Sequence, residues 1–93
     1  MKYPSSTVKD RVGFFNDASS LRAPAFKIIN LIQEEDPANQ ILATATALVA
    51  LAEAINVDPH DLISKINRAK RHIDSPFSTE YRAIGAYAKG EFL

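Results

Sequence analysis

The stretch Ile41 to Ile55, ILATATALVALAEAI, carries one charged side chain and neither glycine nor proline. Its periodicity is helical. At about 100° per residue, Ile41, Leu48, Leu51 and Ile55 fall in one stripe, Leu42 and Val49 in a second beside it, and Ala45 and Ala52 between the two. Ala43, Ala47, Ala50 and Ala54 lie on the opposite side, a seam of small side chains that another backbone can approach closely. Thr46 and Glu53 mark the polar sector. A helix apolar around so much of its circumference must be covered on more than one side. The reading is therefore a central apolar helix over residues 37–56, covered by other helices of its own chain or by a second copy. If nothing from its own chain packs on the alanine seam, that seam is the first candidate for a dimer contact.

The rest of the chain is consistent with one compact all-α domain. Its 93 residues make a single unit, 1–93, with short flexible ends at 1–4 and 90–93. Chains of this size bury only about 60–70% of their unfolded surface, so a dimer contact would weigh on stability. Apolar residues make up 46% and charged residues 24%, an ordinary globular balance that argues against disorder. Eleven Lys and Arg offset eleven Asp and Glu, so no global field draws the chain to nucleic acid or to an anionic membrane. There is no cysteine, which removes disulfides, thiol chemistry and cysteine-ligated metals and agrees with a reducing compartment. The amino-terminal MKYPSSTVKDRV lacks an apolar run of signal-peptide length. The central apolar stretch, about 15 residues, falls short of the ~20 that span a bilayer. The expected compartment is the cytoplasm.

The five prolines punctuate the helices, standing where helices start or just before. After Pro4, a first helix reaches about Asn16 with Val8, Val12 and Phe15 on one side. A second runs from Ala23-Pro24 to Glu35, with Ala25, Ile28, Ile29 and Ile32 inward. Asp36-Pro37 caps the central helix. Asp58-Pro59 repeats the signal for a fourth helix, with Asp61 placed to pair with Lys65. Leu62, Ile66, Ala69 and Ile73 form its inner line, and Lys65, Arg68, Arg71 and His72 are expected outside. Asp74 to Thr79 caps a fifth helix with Phe77, Tyr81, Ile84 and Ala88 inward, Gly85 at a close approach and Gly90 as its end.

Chemical signatures are sparse. His60 and His72 stand apart, with no metal-ligand spacing around them. No glycine-rich phosphate loop and no nucleophile elbow occurs, and the serines and carboxylates gather at helix starts, where capping accounts for them. The acids Glu34, Glu35 and Asp36 fit the dipole of the helix they precede. The expectation is a non-enzyme without cofactor, metal or small-molecule substrate. Two of the aromatics, Phe14 and Tyr87, each belong to a pair that cannot share one inner face, so each is a candidate anchor for a protein partner.

The run Leu51 to Ile63, LAEAINVDPHDLI, resembles the closing helix junction of Cro/repressor-type helix-turn-helix domains. The likeness covers that junction alone and brings no base-reading residue with it. In overall manner the chain also resembles small proteins of tailed bacteriophages, many of which bind a host or viral protein. These features lead to a non-enzymatic protein-protein interaction module or small regulator, homodimeric, with Ala43, Ala47, Ala50, Ala54, Phe14 and Tyr87 as the partner-binding residues. The alternative is a nucleic-acid-binding transcriptional regulator using the basic helix 60–73, with Lys65, Arg68, Arg71 and His72 on phosphates.

Overall fold

The structure, a computed structural model, describes residues 4–13 and 17–92. Among them lie α1 (Ser5–Gly13), a short 3₁₀ turn (Ala18–Leu21) running into α2 (Arg22–Ile32), α3 (Pro37–Ala54), α4 (Pro59–Arg71) and α5 (Pro76–Phe92). The all-α class with five helices is as the sequence implies, and no strand occurs among the described residues.

The capping residues explain where the helices begin. Asp36 accepts hydrogen bonds from the backbone N–H groups of Ala38 and Asn39 at 3.1 and 3.4 Å, with Pro37 at the first helical position. Asp58 does the same for α4, accepting from His60 N–H at 2.9 Å. The Ser75 hydroxyl oxygen accepts from Ser78 N–H at 3.1 Å and opens α5. α3 ends at Asn56, whose φ of 59° is left-handed. The N–H of Asn56 then reaches Glu53 O at 3.1 Å and that of Val57 reaches Ala52 O at 2.9 Å, the paired bonds of a Schellman ending. Asparagine tolerates this conformation better than most side chains. α5 runs through Gly90 instead of stopping there, because no glycine adopts the positive φ that a glycine stop uses. A side chain at Gly85 would meet open space, so that residue does not mark a close approach.

The folded body is built on α2 and α5, which run in the same general direction. Arg22 donates to Glu80 at 2.6 Å near their starts. Further on, the Phe26 and Tyr87 rings stack at 4.3 Å between centroids, and the Tyr87 hydroxyl donates to Asn30. Ala25, Phe26, Ile29 and Ile32 face inward, while Ile28 and Leu31 stay exposed. On α4 the inner line is Leu62, Lys65 and Ala69. Ile66 is only partly covered, and Ile73 lies past the helix end in solvent.

The largest departure from expectation concerns α3. The chain bends by 113° between α3 and α4. α4 therefore covers only the C-terminal corner of α3, where Ala52 and Ile55 are buried and Leu48 half-buried. Toward the other end the helix is held by Gln40, a buried side chain whose Nε2 donates to Gln33 O at 3.1 Å and Glu35 O at 2.7 Å, satisfying carbonyls at the end of α2. Between these anchors α3 stands in solvent. Ile41 is 61% exposed, Leu42 64%, Val49 41% and Leu51 66%. The arc expected to be covered by other helices of the same chain is left open within the protomer.

The openness extends beyond α3, since Ile28, Leu31, Ile63 and Ile73 are also largely exposed. The molecule's accessible surface is 7082 Å² for a mass of 10.2 kDa, whereas a compact monomer of that mass exposes about 5,300 Å². The radius of gyration is 13.9 Å, against about 12.3 Å for a compact domain of this length. Among the described residues the buried apolar side chains are Ala18, Ala52 and Ile55, and none of the larger ones is wholly enclosed.

Candidate functional site

The candidate site is α3 together with the concavity that it reaches through Leu48. Pinned at Gln40 and again at Ala52 and Ile55, the helix is fixed in direction while its middle projects. From Ile41 to Ala52 it carries no charge, and its two polar side chains are already satisfied. Thr44 Oγ1 donates to Gln40 O and Thr46 Oγ1 to Leu42 O, each at 2.7 Å. Covering this segment would therefore leave no hydroxyl proton unbonded, which removes the usual penalty for burying a polar group. The seam Ala43, Ala47, Ala50 and Ala54 is exposed along its length, uncovered by any element among the described residues.

Between α1, the 3₁₀ turn, α4 and the start of α5 lies an apolar cavity of about 660 Å³, which α3 reaches through Leu48. Val8 and Val12 of α1, Leu48 of α3, Leu62 and Ile66 of α4 and Phe77 of α5 supply much of its wall. Sealed and empty, a void of this size would cost on the order of 16 kcal/mol at ~24 cal/mol per Å³. That equals the whole stability of a typical domain. The space is consequently one that opens to solvent or is filled by something. Leu48 belongs both to this wall and to the inner line of α3, so the cavity meets the helix face at that residue.

The candidate anchors separate. Tyr87 is half-buried and engaged with Phe26 and Asn30, so it joins α2 to α5 and presents only part of its ring to solvent. Phe14 lies outside the described residues. The more exposed tyrosine is Tyr81, stacked near Phe77 with the Lys70 ammonium 5.3 Å from its ring centroid.

The basic helix separates as well. Lys65 points inward: its Nζ donates to Val12 O at 2.7 Å and Gly13 O at 2.9 Å, capping the C-terminal end of α1. It is thus held away from Asp61, four residues earlier, and from any outer phosphate-facing row. Arg68, Arg71 and His72 remain on the surface. A signal for the inward lysine was present, since Lys65 shares the helical face of Leu62 and Ala69. Gln40 gave no such signal, because its partners sit on the preceding turn and depend on how α2 and α3 meet.

Asp58 is held below the usual carboxylate range, first by the hydrogen bond from His60 N–H and then by the His60 ring, whose Nδ1 lies 3.0 Å away. This is capping chemistry at the start of α4. Among the described residues no group of three or more acidic or imidazole side chains is placed to hold a metal ion. Among the described residues no single helix is long and apolar enough to cross a membrane. Comparison of the chain with protein-family models, curated proteins and solved structures gives no match.

Proposed function

We propose that this protein is a non-enzymatic, self-associating interaction module whose working surface is α3. The observation that carries the reading is that the most apolar helix of the chain leaves most of its large side chains in solvent, with Ile41, Leu42 and Leu51 each more than half exposed. The area supports it quantitatively. The surface in excess of a compact monomer is about 1,800 Å² per chain. Two chains hiding that excess would bury roughly 3,600 Å², within the range of obligate homodimers. A patch this apolar is rare on a monomer and marks an interaction site where it occurs.

A second copy fits better than an unrelated partner. Every copy carries the same deficit, and a two-fold contact relieves both deficits at once. The net charge of zero adds no repulsion between copies. Sedimentation velocity over a dilution series tests the reading. A dimer that dissociates only at low concentration is expected. A chain that stays monomeric at every concentration, with its helices intact, would overturn it.

A further inference from the structure

Resting on that homodimer reading, we infer that the apolar cavity at Leu48 receives apolar side chains of α3 from the second copy, so that the projecting helix of each protomer packs over the cavity of the other. Three observations converge on this occupant.

The first is continuity. The inner line of α3 begins at Ile55 in the protomer's own fold, forms cavity wall at Leu48 and emerges into solvent at Ile41. A helix seated in the cavity of one copy would therefore touch the α3 of that same copy through Leu48. The second is size. About 10–15 Å³ of such space suffices for one water, so about 660 Å³ is room for several side chains, not a hydration pocket. The third is chemical match. The wall offers Val8, Val12, Leu62, Ile66 and Phe77, and α3 offers Ile41, Leu42, Val49 and Leu51 with its two threonine hydroxyls already bonded.

Flat pairing of two α3 helices along one flank would satisfy less. Leu42 and Leu51 lie on opposite flanks of the helix, about 180° apart at 100° per residue, and both are exposed. Covering both flanks needs walls on two sides. Seating one flank in the cavity and the other against the partner's own α3 at Leu48 provides both, and a single facing helix does not. In the intertwined dimer α3 becomes the core helix that its composition describes, enclosed by parts of two chains.

The absence of native cysteine makes the test clean. One preparation carries Leu42→Cys, on the projecting helix, and a differently tagged one carries Ile66→Cys, on the cavity wall. They are unfolded together, refolded and treated with a short bifunctional thiol reagent. By symmetry the two residues meet across the interface, so a cross-linked hetero-pair is expected, with random mixing placing one variant of each kind in roughly half of the dimers. If Ile66→Cys fails to fold, Ala69→Cys on the same wall replaces it. A stable dimer in which Leu42→Cys chains cross-link to each other and never to the cavity variant would overturn the insertion while leaving the homodimer standing. A strict monomer would overturn both.

Discussion

Replacing Leu42 and Leu51 together by alanine separates a free helix from one that is buried in an assembly. In the protomer these side chains are 64% and 66% exposed. Full burial of a leucine is worth about 1.5–3 kcal/mol, so about 1–2 kcal/mol per side chain is still to be gained on association. A dimer holds four such side chains. The loss in dissociation free energy is then about 4–8 kcal/mol, or roughly a thousandfold to a millionfold in Kd. Alanine has the highest helix propensity, so α3 itself gains slightly from the exchange. If α3 were simply solvated, the double variant would stay within about 0.5 kcal/mol of the parent or improve on it. Sedimentation velocity gives the shift in Kd, and the dependence of Tm on protein concentration gives an independent reading, since only an associating chain has one. The single variants add detail. Because the two residues flank α3 on opposite sides, comparable losses mean that the interface wraps the helix, and a loss confined to one means that it covers one flank. Unchanged association in the double variant, or a parent Tm indifferent to concentration, would refute the reasoning.

Three further outcomes follow from the described contacts. Lys65→Met keeps the aliphatic stem but removes the cap on Val12 and Gly13 carbonyls, at a cost of about 1.5–3 kcal/mol; amide exchange should quicken first in α1, whereas Arg68→Ala with Arg71→Ala should leave urea midpoints nearly unmoved. Asn56→Gly is expected to be neutral or mildly stabilising and Asn56→Ala to cost about 1 kcal/mol, because only the latter puts a Cβ penalty on a left-handed residue, as urea titration would show. Asp58 is depressed in the folded state, so its contribution is present above the ordinary carboxylate value near 4 and is lost as pH falls through the folded value. Asp58→Asn should flatten that part of the acid limb when stability is followed against pH.

How much was legible in the chain depended on how local the physics was. Asp36-Pro37, Asp58-Pro59 and Ser75-Pro76 announced three helix starts, because a cap needs only the side chain and the N–H groups two or three residues on. The fate of Tyr87 was not legible: whether an aromatic faces a partner or a neighbouring helix depends on where α2 lies. Lys65 was half legible, its inner position readable from the wheel but its two carbonyl partners supplied by α1, far off in sequence.

The same division holds for the stretch from Ile41 to Ile55. The sequence by itself determined that this segment is helical, capped at Asp36 and apolar on nearly every side, since periodicity and composition are properties of the segment alone. Only the tertiary structure decided that the protomer leaves it open. The left-handed Asn56 turns the chain through the corner at which α4 departs by 113°, and a helix leaving at that angle can cover only one end of its neighbour. The apolar demand is written in the segment, and the means of meeting it lies in how distant helices are placed.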